Sequence, residues 1–80
     1  MERGSPSLRA VVANNIKTAR LRAGLSQEEL AGICGYHRTY ISSIEREERN
    51  ITLDTLQAIA TALKVGPASL LSTSQVAMLP

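Results

Sequence analysis

The sequence predicts an all-α domain of five helices, on three observations. Apolar residues recur every three or four positions along most of the chain, which is the period of one face of an α-helix. The interior must be built from Leu, Ile, Val and Ala, because Phe and Trp are absent and Tyr36 and Tyr40 are the only aromatic residues; this composition favours helices over sheets. Eighty residues allow one domain.

Composition excludes several classes of protein. An apolar fraction of 44% with 20% charged residues is typical of a globular chain. With only Cys34 and His37 as soft ligands, we expect no internal disulfide and no metal site. No cluster combines a nucleophile, a base and a pocket, so we expect no enzyme, no cofactor and no small-molecule ligand. The chain lacks a membrane-spanning stretch and a signal peptide, which predicts a cytoplasmic location without a membrane partner.

The first helix is predicted from a single apolar stripe that ends at Gly24. We expect it to begin at Ser5 or Ser7 as N-cap, with Pro6 in its first turn. Its inward face consists of Leu8, Val12, Ile16, Ala19 and Ala23.

The second helix is predicted to begin at Ser26, because Ser26 and Glu29 have the spacing of a capping box. It ends by Cys34, where Gly35 permits a positive φ. Its inward residues are predicted to be Leu30, Ala31 and Ile33.

The third helix resumes at His37, with Tyr36 and Ile41 spaced as a hydrophobic staple. At about 100° per residue, Ile41, Ile44 and Glu45 share one side of this helix. The other side is small and polar, formed by Thr39, Ser42, Ser43 and Arg46.

Thr52 is predicted to cap a fourth helix that ends at Val65-Gly66, and Pro67 to open a fifth that runs to Leu71. The inward residues of the fourth are Leu53, Leu56, Ile59, Ala60 and Leu63. We therefore predict a flexible N-terminus over 1–6, the folded domain over 7–71 and a tail over 72–80.

The net charge of +2 is unevenly distributed, with +4 over residues 1–25 and −2 over residues 26–80. This permits a polyanionic partner without singling one out. More informative are two helices joined by a few residues including Gly, the second with a small polar side, which is the arrangement of a helix-turn-helix. Such a second helix fits the major groove of DNA, and Arg38 near its start has the fork that binds guanine bidentately.

The segments Gly24-Leu25-Ser26-Gln27-Glu28-Glu29-Leu30-Ala31 and Arg38-Thr39-Tyr40-Ile41-Ser42-Ser43-Ile44-Glu45-Arg46, with Gly35 between them, resemble the Cro and phage-repressor (Xre-type) helix-turn-helix family. The resemblance runs from about residue 8 to 71 and implies a lambda-repressor-like DNA-binding domain. Together with Arg49-Asn50 and Thr52-Leu53, it is most similar to the controller proteins of restriction-modification systems. It implies a transcriptional regulator that binds a near-palindromic operator in double-stranded DNA as a homodimer and controls its own gene.

The resemblance also implies roles for individual residues. The base readers would be Arg38, Thr39 and Ser43. The contacts to the DNA backbone would come from Gln27, Tyr40, Ser42, Arg46 and Asn50. Arg20 and Glu45 would form an ion pair between helices one and three, which removes an acidic charge from the DNA-facing side. The alternative without a function is that the polar side of helix three is simply solvated and that Arg20 and Glu45 form an incidental surface ion pair. Arg49 and Lys64 are interpreted as solubilising charges.

Three positions depart from the family pattern. Glu47 stands where Gly is common, so helix three is expected to gain a turn or to end at Asn50. Ile51 stands where Pro is frequent, and His37 replaces the usual Ser, Thr or Asp N-cap.

The C-terminal region holds more apolar side chains than one short helix needs, which predicts a twofold interface. Its residues would be Leu70, Leu71, Val76 and Met78. Two alternatives to a controller remain within the DNA-binding class, an antitoxin and a phage-type repressor. A third, from another class, is a helical adaptor that binds a protein.

Overall fold

The structure is a computed structural model that describes residues 7–73. Five α-helices and no strands occur in this range, which confirms the predicted fold class. The helices are α1 (Leu8–Arg22), α2 (Gln27–Cys34), α3 (Arg38–Glu45), α4 (Leu53–Leu63) and α5 (Pro67–Leu71). The predicted flexible stretch 1–6, and residues 74–80 of the predicted tail, lie outside the described residues. Between residues 7 and 73, none of the helices is long and apolar enough to cross a bilayer.

Each of the five helices contributes one large apolar side chain that is completely buried. These side chains are Ile16, Leu30, Ile41, Ile59 and Leu70. Burying such a side chain stabilises a fold by roughly 1.5–3 kcal/mol relative to leaving it exposed. They pack into one cluster with Val12, Ala31, Ile44, Leu56, Ala60 and Leu63, so the domain has a single aliphatic core as its composition predicts.

Side-chain caps begin three of the helices. Ser7, one of the two predicted N-caps of α1, accepts a hydrogen bond from the Ala10 amide at 3.1 Å, and α1 starts at Leu8; Pro6, predicted for its first turn, lies outside the described residues. Ser26 and Glu29 form both halves of the predicted capping box. Thr52 accepts from the Thr55 amide at 3.1 Å, and Pro67 is the first residue of α5, as predicted.

Helices α1 to α4 all end in the same backbone motif, in which one residue adopts the left-handed conformation and the amide of the next residue donates to the carbonyl five residues earlier. The left-handed residues are Gly24 (φ 75°), Gly35 (φ 79°), Glu47 (φ 66°) and Lys64 (φ 60°). In α3 the amides of Glu47 and Glu48 donate to the carbonyls of Ile44 and Ser43, both at 2.9 Å. Helix α3 therefore ends at Glu45, and neither an extra turn nor an end at Asn50 occurs.

Four residues predicted to face inward are exposed; the three large ones are Leu8, Ile33 and Leu53, at 61%, 58% and 79%, and the fourth is Ala23. Leu8 and Leu53 are the first residues of their helices, where no neighbouring element covers them. Ile33 lies about 110° around α2 from the midpoint of Leu30 and Ala31, which set the buried face of that helix. Ala23, which follows the last residue of α1, is exposed for the same reason as the two leucines.

The amide side chain of Asn15 fastens the short helix α5 to α1. Its Nδ2 donates to the carbonyl oxygens of Leu70 at 2.9 Å, Ser72 at 3.0 Å and Ser69 at 3.4 Å. Carbonyls at a helix C-terminus have no partner within the helix, so this side chain satisfies groups that α5 cannot satisfy itself. Sequence periodicity gave no sign of this contact.

The left-handed Glu47 predicts a stabilising substitution. Because a side chain with a Cβ is strained at this φ and glycine is not, we expect Glu47→Gly to raise the free energy of unfolding by about 0.5–1 kcal/mol in urea titrations. Glu47→Ala retains the Cβ and serves as the control, which should show no comparable gain. Equal stabilisation by glycine and alanine would attribute the effect to the lost charge instead.

Candidate nucleic-acid interface

The three residues Gly35, Tyr36 and His37 join α2 to α3, and the two helices pack against each other. Helix α3 buries Ile41 and Ile44 in the core. Arg38, Thr39 and Arg46 are exposed, and Ser42 is half-buried. The predicted turn is therefore present, and three of the four residues predicted for the polar side of α3 are at least partly exposed.

A buried ion pair holds α3 to α1. The Nε and Nη2 atoms of Arg20 lie 2.7 and 3.0 Å from the two carboxylate oxygens of Glu45, and both side chains are less than a tenth exposed. The third guanidinium nitrogen, Nη1, donates to the Leu25 carbonyl at 2.8 Å. The hydrogen bond from Arg20 to Glu45 is the main cause of the raised pKa of Arg20. Arg20 and Glu45 thus form the predicted pair, and it is not an incidental surface contact.

Gln27, the first residue of α2, adds a third donor to the same carboxylate. Its Nε2 donates to Glu45 Oε1 at 3.1 Å, and the side chain is half-buried. Gln27, which is predicted to contact a phosphate, thus already donates one side-chain hydrogen bond within the protein. Through Arg20 and Gln27, the Glu45 charge is compensated on the inner side of α3.

Arg38 is placed where a cation is unfavourable for helix stability. It is the first residue of α3, it is exposed, and within residues 7–73 its side chain makes no hydrogen bond or ion pair. The first turn of α3 has no acidic residue, whereas α2 and α4 have Glu28, Glu29 and Asp54 there. His37, the N-cap of α3, makes no side-chain cap hydrogen bond. The N-terminus of α3 is therefore left positive, as an anion-binding surface requires.

Arg46, the residue after α3, has its guanidinium between Ser42 and Glu48. Nη1 donates to Ser42 Oγ, while Nε and Nη2 donate to the two Glu48 carboxylate oxygens, each at 3.0 Å. Both charged side chains of this ion pair are 55% exposed. The hydrogen bond between them raises the pKa of Arg46 and lowers the pKa of Glu48. The predicted backbone contacts Ser42 and Arg46 are thus adjacent on one surface.

Ser43, predicted to read bases, is instead buried, at 6% exposure. Its hydroxyl donates to the Tyr40 carbonyl at 2.7 Å and accepts from Arg49 Nε at 3.2 Å. The reason is that the chain turns back after α3 and covers this position, which helical periodicity alone does not show. Ser43 holds the loop that follows α3 and does not belong to the exposed face.

Tyr40 lies between another aromatic ring and a guanidinium. The Tyr36 ring meets it edge-on with centroids 5.1 Å apart, and the guanidinium carbon of Arg49 lies 5.4 Å from its centroid. A cation over a tyrosine face is attracted by the ring quadrupole. Arg49, interpreted from the sequence as a solubilising charge, is therefore in contact with Tyr40 and Ser43 of α3. Its position depends on the left-handed turn at Glu47, for which the sequence offers no recognisable signal.

Asn50 is hydrogen-bonded to a basic residue of α1. It is exposed, and its Oδ1 accepts a hydrogen bond from Arg9 Nη2. Arg9 was not predicted to contribute, because the two residues are 41 positions apart in sequence. The surface formed by Arg9, Arg38, Thr39, Tyr40, Ser42, Arg46, Arg49 and Asn50 is called the α3 surface below.

The buried ion pair predicts a coupled effect of mutations. Removing one partner leaves the other charge buried, so Arg20→Met or Glu45→Leu alone should lower the free energy of unfolding by about 3 kcal/mol. The double variant leaves no buried charge and should lose less than the sum of the two. Chemical denaturation of all four proteins tests this, with the exposed Arg46→Met as a control. Additive losses would contradict the coupling.

Comparisons with known proteins agree with this geometry. The family model HTH_3, described as helix-turn-helix, matches residues 16–70. The control protein C.SmaI of Serratia marcescens is 48% identical over 65 residues, which cover 81% of this chain and 77% of that protein. The crystal structure of the hypothetical transcription factor NHTF from Neisseria superposes with a TM-score of 0.85 at 38% identity and covers 99% of this chain and 97% of that one.

A third comparison is with a protein bound to DNA. The restriction-modification controller protein C.Esp1396I, solved as a tetramer in complex with its natural 35 base-pair operator, has a TM-score of 0.75 and 39% identity. The similarity covers 82% of this chain and 87% of that one. The predicted family is confirmed: the chain belongs to the Xre-type helix-turn-helix family.

Proposed function

We propose that this protein is a controller of a restriction-modification system that binds operator DNA as a homodimer and regulates transcription, including that of its own gene. The observation that carries the proposal is the unpaired Arg38 at the uncompensated N-terminus of α3. A cation at the N-terminus of a helix is unfavourable for the helix dipole, and the Arg38 side chain has no partner among the described residues. Binding of an anionic partner explains why an arginine stands there. The protein would act by occupying DNA in the cytoplasm, without catalysis and without a cofactor.

The α3 surface suits the major groove, whose width of about 12 Å admits one α-helix. Arg38 and Thr39 are exposed at the start of α3, where they would contact base edges. The rest of the α3 surface would contact phosphates, which position the helix without reading sequence. Gln27 would join them through its second amide hydrogen, since its Nε2 donates one hydrogen bond to Glu45.

The named relatives support the controller role. C.SmaI is called a control protein, and C.Esp1396I is called a restriction-modification controller protein bound to its operator. We prefer this role over the antitoxin, phage-repressor and adaptor alternatives because the similarity to C.SmaI extends over 81% of the chain at 48% identity. The tetrameric assembly of C.Esp1396I on its operator supports an oligomeric, near-palindromic mode of binding for this chain.

The proposed twofold interface needs revision at one residue. Leu70 is 1% exposed and belongs to the core of its own chain, so its side chain is not available to a second copy. Leu71 remains 39% exposed and borders an apolar groove of about 230 Å³ together with the exposed Leu8 and Leu53. We propose that a second copy covers the part of this groove formed by these three leucines, because Arg9, Arg49 and Asn50 of the α3 surface line another part of it. Val76 and Met78, predicted for the same interface, lie outside the described residues.

The function predicts a sequence-dependent loss when Arg38 is removed. Arg38→Ala should weaken binding to the operator by about 1–3 kcal/mol, because a bidentate contact to guanine is lost, and should relax the preference at one base pair per half-site. Gel-shift titrations on DNA from upstream of the protein's own gene, with footprinting to locate the site, provide the measurement.

Arg22→Ala is the matched control, since Arg22 is an exposed arginine that lines a groove with α4 and α5, away from the α3 surface. It removes the same charge and should affect operator and random duplexes equally and slightly. If Arg38→Ala also weakens both duplexes equally, Arg38 does not read bases.

The proposed twofold interface predicts that the protein is a dimer in solution. Sedimentation equilibrium at micromolar concentration should give about twice the monomer mass of 8.6 kDa. Leu71→Asp should shift the protein towards monomer, because a carboxylate cannot be buried unpaired in an apolar interface. Ile33→Asp, which alters an exposed apolar residue on α2, should not. A wild-type monomer throughout the concentration range would refute the dimer.

A further inference from the structure

One acidic side chain lies within the otherwise basic α3 surface. Glu48 is exposed, and its two carboxylate oxygens accept hydrogen bonds from Arg46 Nε and Nη2, each at 3.0 Å. A phosphate group would present the same arrangement of two oxygens to the same fork of the guanidinium. In the free protein, Glu48 therefore occupies the donors that Arg46 would offer to DNA.

The backbone after α3 holds Glu48 in this position. The left-handed conformation of Glu47 reverses the chain, and the Glu48 amide donates to the Ser43 carbonyl at 2.9 Å. The turn places the Glu48 side chain beside that of Arg46, two positions earlier in the sequence. A hydrogen-bonded turn in the backbone therefore brings these two exposed side chains together.

The two glutamates near the α3 surface are held differently. Glu45 is buried and is compensated by Arg20 on the inner side of α3. The pair of Glu48 and Arg46 has both side chains 55% exposed, so solvent weakens it. The Glu48 carboxylate is ionised near neutral pH, as an ordinary glutamate is, and its hydrogen bond to Arg46 lowers its pKa further. DNA can displace this carboxylate, but each binding event must break the pair.

We infer that Glu48 is an intramolecular competitor of the DNA backbone, which lowers the affinity for every duplex and raises the protein concentration at which DNA becomes occupied. The inference rests on the proposed function. It assigns Glu48 a role in affinity and none in base recognition, since the contact that it opposes is made to phosphate.

The test compares Glu48→Gln with Glu47→Gln. Both variants remove one negative charge from neighbouring exposed residues, but the Glu47 side chain makes no hydrogen bond or ion pair within the described part of the chain. Binding to a random-sequence duplex is measured by fluorescence anisotropy at several salt concentrations. Glu48→Gln should bind about two- to fivefold more tightly than Glu47→Gln, the range expected for releasing an exposed ion pair. Its slope of log affinity against log salt should be steeper by about 0.9, because one more cation is free to neutralise a phosphate.

The Arg46→Gln background tests whether the effect acts through Arg46. With Arg46 replaced, Glu48→Gln and Glu47→Gln should give equal affinities. A Glu48→Gln variant no tighter than Glu47→Gln in the wild-type background overturns the inference while leaving the proposed function intact. A difference that persists without Arg46 also overturns it. A wild-type protein that binds no duplex even at low salt overturns the proposed function, and this inference with it.

Discussion

The Glu45 carboxylate is bound by donors from two other helices, and the geometry of the α3 surface depends on it. Arg20 of α1 donates to both of its oxygens, and Gln27 of α2 donates to one of them. A single buried charge thus connects three helices, and the Leu25 carbonyl that follows α1 is bound by the same guanidinium. Because a buried charge is costly when unpaired, small displacements of α3 relative to α1 are penalised. The pair also prevents an acidic residue of α3 from repelling a polyanion.

The α3 surface shows features that weaken the fold and favour a ligand. The N-terminus of α3 has a cation where an anion would be stabilising, and its N-cap makes no side-chain bond. Glu47 adopts a conformation that glycine would adopt without strain. By contrast, the start of α2, which has a complete capping box with two acidic residues, is optimised for stability. These two departures from local preference lie at the two ends of α3, as is common at functional sites, while a third, the left-handed Lys64, lies at the end of α4.

The fold could be predicted from the sequence because its signals are local. Caps at Ser26 and Thr52, the break at Gly35 and the apolar period of α4 each depend on residues within a few positions of one another. The candidate site was only partly predictable. Ser43 was assigned to the exposed face because periodicity ignores the chain that turns back over it. Arg9 and Arg49 were missed because their contacts are set by tertiary structure and by a left-handed glutamate that resembles no standard turn signal.

Asn15 and Arg20 give α1 a role that extends beyond the core. Asn15 binds the end of α5, and Arg20, about 7.5 Å further along the same helix, binds α3. Helix α1 therefore connects the region next to α5 rigidly to α3. In a twofold dimer joined beside α5, this connection would determine how far apart the two copies of α3 lie. The Asn15 and Arg20 side chains would then determine the spacing of half-sites that such a dimer binds, without contacting DNA themselves.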